Sequence, residues 1–327
     1  MTAVTATLLP LLLLMLSGAV VLVAATIVAM ARMLLRPKRM SDARALRLLN
    51  RLTPADLGID FDPITFVVHD ERSGKPLRLS AWWMPHPAKT AQTVVLLHGY
   101  SDAKVGVIAW APLWRRLGFN LLALDLRAHG ESEGIHSTAG FFERHDVMQV
   151  LDELRAARPD ATRHLLLCGV SLGAAVAVNV AAMRDDLAGV VLDCPFASYR
   201  SAIACHAEVM LVPLPWTRPF AVCLAEWLSG ADFERVRPVD AIQRARCPVL
   251  LLHSGDDPLV AREDVRQLND AMARRDPSMR SRDQIVELEQ APHVMGIARD
   301  PLGYETIVRR FAENCIAASA PVTPRSS

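Results

Sequence analysis

The stretch that most limits what this chain can fold into is Gly169-Val170-Ser171-Leu172-Gly173. The run before it, His164-Leu165-Leu166-Leu167-Cys168, reads as a buried strand. The run after it, Leu172 to Arg184, consists of good helix formers with no proline and no glycine beyond Gly173. A serine on a tight strand-to-helix turn, with glycine two positions to either side, is a nucleophile elbow. The glycines supply backbone freedom and leave no side-chain bulk beside the serine.

The rest of the chain has the alternation that such a turn demands. Ile64 to His69 and Leu77 to Met84 read as a hairpin about Glu71-Arg72-Ser73-Gly74. Strands are expected at 93–98, 120–125, 164–169, 188–193, 248–253 and 284–289. Helices are expected at 104–117, 139–157, 172–184, 262–274 and 302–317. Near-continuously apolar strands interleaved with helices predict an α/β fold, a mostly parallel central sheet with helices on both faces. At 327 residues and 51% hydrophobic content, the chain can bury a substantial core. A net charge of +1 without long charged blocks leaves no electrostatic footprint for nucleic acid. The six cysteines are scattered, none within four residues of another, so neither a zinc knuckle nor a CxxC pair is available.

Met1 to Ala31 carries no charged side chain, and Leu8 to Ala31 is apolar except at Pro10, Ser17, Gly18 and Thr26. As a helix those 24 residues would reach about 36 Å, enough for a hydrocarbon core of about 30 Å. Ala29-Met30-Ala31 resembles a signal-cleavage site, but there is no basic n-region and the apolar stretch is too long. The favoured expectation is an uncleaved single-pass membrane anchor whose partner is the lipid bilayer. Seven basic residues from Arg32 to Arg51 predict that this flank, and the body of the chain, face the cytoplasm. The expected organisation is an anchor with basic flank over 1–39 and an amphipathic connector over 40–62. The main domain follows over 63–317, with a disordered tail at 318–327.

Residues 199–246 break the rhythm with two apolar helical patches separated by Pro213, Pro215 and Pro219. An insertion here would sit as a small helical cap over the carboxyl ends of the strands. Met210, Leu211, Leu214, Trp216, Phe220 and Trp227 are candidate walls of an apolar pocket, or else pack the cap against itself.

A serine hydroxyl needs a base to take its proton and a third group to orient that base. His293 lies in Gln290-Ala291-Pro292-His293-Val294-Met295, between the last strand and the final helix, where a general base belongs. The apolar strand ending at His253 runs into Ser254-Gly255-Asp256-Asp257. Asp257 is the favoured acid, with adjacent Asp256 and the strand-ending Asp193 as alternatives. The order Ser171, Asp257, His293 suits this elbow. Backbone donors for an oxyanion are expected from Leu172, after the nucleophile, and Tyr100, in the loop His98-Gly99-Tyr100-Ser101. His98 reads as a loop stabiliser.

These ordered segments resemble the α/β-hydrolases, in particular the bacterial serine aminopeptidase, monoglyceride lipase and small-esterase branch. Leu97-His98-Gly99-Tyr100 resembles the family's oxyanion loop, and Asp125 to Ser132 resembles its D-x-R-x-H-G-x-S turn. Departures are Leu172, where many relatives carry Met or Gly, and His253-Ser254, where His-Gly is usual. The resemblance implies an α/β-hydrolase fold and hydrolysis of a small carboxylic ester with an apolar acyl group, through an acyl-enzyme on Ser171. The alternatives are a membrane-bound acyltransferase, hydrolysis of thioesters or short peptides, and a non-catalytic interaction module, which an intact Ser-Asp-His set argues against. No metal or organic cofactor is implied, since HExxH, GxGxxG and GxxxxGK(S/T) are all missing from the sequence.

Overall fold

Alternating side chains along each apolar run point to opposite faces of a sheet, so a strand buried on both faces must be apolar throughout. The computed structural model describes residues 2–210 and 214–319. Its strands are Asp62–His69 (β1), Pro76–Met84 (β2), Gln92–Leu97 (β3), Asn120–Leu124 (β4), His164–Val170 (β5), Gly189–Asp193 (β6), Val249–Ser254 (β7) and Gln284–Leu288 (β8). They form one sheet in the order β1-β2-β4-β3-β5-β6-β7-β8. β2 pairs antiparallel with β1 and β4, and every other pairing is parallel. The expected mostly parallel sheet is what forms.

The helices are Thr2–Leu35 (α1), Asp42–Leu49 (α2), Lys104–Val107 (α3), Ala111–Arg116 (α4), Glu143–Ala157 (α5), Leu172–Ala181 (α6), Tyr199–Val209 (α7), Arg218–Ser229 (α8), Pro238–Arg244 (α9), Arg262–Ala273 (α10), Pro277–Arg280 (α11), Gly296–Arg299 (α12) and Pro301–Ser319 (α13). One core joins Val95, Leu97, Leu122, Leu165 and Leu251 to Val147 and Leu151 of α5, Val176 of α6 and Leu268 of α10. The opposite core joins Val94, Leu96, Leu121, Leu166 and Leu250 to Trp114 of α4 and to Tyr304 and Phe311 of α13. Odd and even positions of the same strands thus serve different helical layers.

Two helices depart from expectation. The stretch read as one helix over 104–117 is α3, a 3-10 turn at Ile108–Trp110, and α4, with Pro112 in the first turn of α4. Proline is tolerated only where its missing N–H is not needed, so the continuous helix is interrupted there. The helix expected from 139 begins instead at Glu143. Ala139 and Gly140 adopt φ of 55° and 101°, and the Glu143 carboxylate accepts from the Thr138 and Gly140 amides at 2.6 and 3.0 Å. Of the cap, positions 211–213, with Leu211 and Pro213, lie outside the described residues, as do positions 320–327 of the tail.

Because β4 and β5 flank β3, the chain reverses its direction of travel across the sheet at β3. Loops leaving β3 and β5 therefore diverge, opening a crevice at their carboxyl ends where open α/β sheets bind ligands. Those loops carry Tyr100 and Ser171.

Candidate active site

Ser171 sits between β5 and α6 with φ 52° and ψ −114°, a region that costs a non-glycine residue on the order of 1–3 kcal/mol. Surrounding contacts hold it there. Its amide donates to the Asp193 carbonyl at 2.8 Å, and its own carbonyl accepts from Ala174 and Ala175 in the first turn of α6. The flanking glycines are sterically required. A Cβ on Gly169 would lie 2.2 Å from the Gly173 oxygen, and one on Gly173 would lie 2.1 Å from the Leu97 oxygen. The Ser171 hydroxyl is half-buried and hydrogen-bonds to no described residue, His293 included. Catalytic hydrogen bonds commonly tighten only when substrate is bound.

Asp257 and His293 do meet. The His293 Nδ1 donates to Asp257 Oδ2 at 2.6 Å. The other carboxylate oxygen accepts the amides of Leu259 and Val260 at 2.8 and 3.1 Å, so the acid is held by its own loop. With the proton on Nδ1, Nε2 is left as the acceptor a general base requires. Asp256 is exposed. Asp193 is fully buried, takes the Tyr304 hydroxyl at 2.7 Å and the Cys194 thiol at 3.2 Å, and is pushed toward its neutral form by burial. Of the three candidate acids, Asp257 alone is hydrogen-bonded to His293. The amide of Val294 donates to Cys194 Sγ at 3.3 Å, which seats the histidine loop beside the residue whose carbonyl holds Ser171.

The Tyr100 and Leu172 amides donate no hydrogen bond to any described residue, as a pair reserved for an oxyanion would be. The loop carrying Tyr100 lies against the elbow, since a Cβ on Gly99 would fall 3.5 Å from Ser171 Cβ. His98 steadies this loop. It donates from Nδ1 to the Gly99 carbonyl at 2.8 Å and accepts the Leu126 amide on Nε2 at 3.0 Å. Its ring meets that of His129 edge-on at 4.8 Å, and burial pushes the two histidines down to about 4 and about 3. The Asp125–Ser132 segment is braced below by buried Lys104, whose Nζ reaches Asp125 and Glu131, each at 2.6 Å.

Among the described residues, one group could offer ligands to a metal ion: Cys194, Asp257 and His293, with ligand atoms within 4.8 Å of one another. Burial holds the Cys194 thiol well above its usual range and thus protonated, and Asp257 and His293 already bind each other. That donor set suits a hydrogen-bonded pair better than an ion.

The pocket in front of Ser171 corrects the expected cap wall. It is lined by Tyr100, Leu172, Phe196, Tyr199, Ala202, Ile203, His206 and Met210, together with Met33 and Leu34 from α1. Of the five described residues among the six singled out from sequence, only Met210 borders it. Trp216, Phe220 and Trp227 are 56%, 58% and 77% exposed, and Leu214 is half-buried outside the pocket. The physical reason is α1. The opposite face of α8, with Val222 and Ala225, packs against Ala31 and Leu35, which turns the aromatic face outward. Nothing in the sequence marked Met33 and Leu34 as pocket residues.

Comparison with known proteins agrees with this architecture. A family model described as serine aminopeptidase, S33, matches residues 88–237. The uncharacterized protein YqkD of Bacillus subtilis is 28% identical over 235 residues, covering 70% of this chain and 73% of its own length. The structure of an esterase from Pyrococcus furiosus superposes with a TM-score of 0.68 at 23% identity, over 86% of this chain and 97% of that one.

The chain has the α/β-hydrolase fold, and its residues 88–237 are similar to the serine aminopeptidase family.

The chain is also 25% identical to the lysophosphatidylserine lipase of Xenopus tropicalis, over 59% of this chain and 49% of the relative. The chain thus spans about half the length of the lysophosphatidylserine lipases it matches.

Proposed function

We propose that this hydrolase cleaves carboxylic esters through an acyl-enzyme on Ser171. The observation that carries the reading is the 2.6 Å bond from His293 Nδ1 to a fixed Asp257 carboxylate, at the sheet edge where Ser171 is held in its strained elbow. His293 Nε2 takes the Ser171 proton as Oγ bonds to the ester carbon. The oxygen that becomes negative is received by the Tyr100 and Leu172 amides, the latter at the N-terminus of α6. Collapse breaks the bond to the alkoxy oxygen, which leaves as the alcohol with the proton from His293. Water then adds to the acyl carbon, His293 accepts its proton and returns it to Ser171 Oγ, and the acid departs. Asp257 stays ionised throughout and stabilises the imidazolium. The lining of Leu172, Phe196, Ile203 and Met210 favours an uncharged, apolar acyl group.

The same reading puts the protein in a membrane through α1, with the hydrolase domain cytoplasmic. The apolar segment Pro10–Leu35 has 26 residues, about 39 Å as a helix, and basic residues follow its carboxyl end. Beside it, α8 presents an apolar stripe of Phe220, Cys223 and Trp227, with Trp216 at its head. Thr217 bonds Met30 Sδ at 3.6 Å, which brings this end of the cap alongside the span. Indole rings of this kind favour the membrane–water boundary.

The test is turnover of esters graded by acyl length against an amino-acid amide, using the detergent-solubilised full chain. Faster cleavage of butyrate or octanoate esters, with Ser171→Ala inert, is expected. Faster cleavage of the amide would overturn the ester assignment. For topology, a cytoplasmic reporter fused after Ser327 in a bacterial host is expected to be active and a periplasmic one silent. The reverse pattern would overturn the orientation.

A further inference from the structure

An α-helix leaves its last four carbonyls without donors from within the helix. At the end of α1 all four are satisfied. Arg32 takes the Arg36 amide at 2.8 Å, Met33 takes the Tyr100 hydroxyl, Leu34 takes the Tyr199 hydroxyl at 3.1 Å, and Leu35 takes the Ser137 amide at 2.8 Å. Three of these donors belong to the hydrolase fold, and Tyr100 and Tyr199 also border the Ser171 pocket. Just beyond, the Lys38 amide donates to Ser101 Oγ at 3.2 Å. The Arg39 guanidinium donates to the carbonyls of Gly130 and Ser132 at 2.8 and 2.6 Å. Ala31 and Leu35 are buried. The end of the membrane helix is therefore fixed in the hydrolase rather than joined to it by a free tether.

Ala31 and Leu35 are buried against the cap with Leu34 packed beside them, and Met33 and Leu34 also line the pocket. Met33 is 49% exposed, so it stands at the pocket's rim. We propose that the last turn of α1 is a specificity-determining part of the active site, with Met33 and Leu34 forming the wall along which the substrate's acyl chain lies. The proposal rests on the reading of Ser171 as the nucleophile. A thioether side chain is flexible and apolar, which lets a rim residue follow chains of different length. Because the wall and Tyr100 are tied by one hydrogen bond, it keeps a constant position relative to the oxyanion loop.

The experiment uses the full chain in detergent with Met33→Trp, Met33→Ala and Leu34→Ala. Acetate, butyrate, octanoate and decanoate esters supply the readout, and a small fluorophosphonate reports an intact Ser171. Met33→Trp is expected to lower the octanoate-to-acetate ratio of kcat/KM by about ten-fold or more, the scale of a one-methylene misfit. The alanine variants are expected to move the optimum toward longer chains, with labelling of Ser171 retained. Retained labelling with acyl-length profiles parallel to wild type in all three variants would overturn the proposal. If the tryptophan variant loses labelling, the alanine pair decides alone. Failure of the wild-type chain to label at Ser171 would instead overturn the underlying reading.

Discussion

Acidification tests the loop that carries Tyr100. His98 is fully buried, and its two bonds need a neutral ring: Nδ1–H donates to Gly99, and Nε2 accepts from Leu126. A proton on Nε2 would set donor against donor. Burial accordingly holds the ring at about 4, below its ordinary value of 6.5. The unfolded chain therefore takes up the proton first as the pH falls. Stabilisation from this group is complete above about pH 6.5 and is lost toward pH 4, reaching about 2.5 kcal/mol of loss by about pH 4.5. His129 is pushed lower still, to about 3, and the touching rings titrate as a pair in the same direction. Asp102 and Asp146, raised by burial to about 6, act in the opposite sense, because the folded state holds their protons more tightly. The quantity to measure is thus the difference between wild type and His98→Gln, by urea unfolding in detergent followed by tryptophan fluorescence. The wild-type advantage should shrink by roughly 2–3 kcal/mol between about pH 7.5 and 4.5. A difference that stays constant over that window would refute the reasoning.

Asp257→Asn should lower kcat by about 10⁴, since His293 loses the anion that fixes its tautomer. Exposed Asp256→Asn should stay close to wild type in the same ester assay, and a larger loss there would reassign the acid. Gly173→Ala should abolish recovery of folded protein, because its Cβ would lie 2.1 Å from the Leu97 oxygen. Gly99→Ala, with its new Cβ at 3.5 Å from Ser171 Cβ, should still fold. Equal melting temperatures for the two variants would show that the elbow relaxes more easily than its packing suggests.

Much of the fold was legible because its strands are buried on both faces. Runs such as Val249 to Leu252 can be apolar throughout only under two helical layers, and the turn at Glu71 to Gly74 announces the hairpin. The pairing of Asp257 with His293 was legible from the order of the elbow, the acid loop and the last loop along the chain. The pocket wall was not. Periodicity shows that α8 has two apolar faces, but the partner that decides which is buried is α1, nearly two hundred residues earlier in the sequence. Met33 and Leu34 look like membrane filler until the Tyr100 and Tyr199 hydroxyls are seen on their carbonyls. The break before Pro112 does carry a signal in the sequence, a proline within a helical pattern.

The central claim is that Ser171 is the nucleophile, and the most direct measurement is covalent labelling of the detergent-solubilised chain by a fluorophosphonate, mapped by peptide mass spectrometry. The account predicts one adduct on the peptide containing Ser171, lost in Ser171→Ala together with ester turnover, which should fall by about 10⁶. An adduct at another serine, or undiminished labelling of Ser171→Ala, would contradict it.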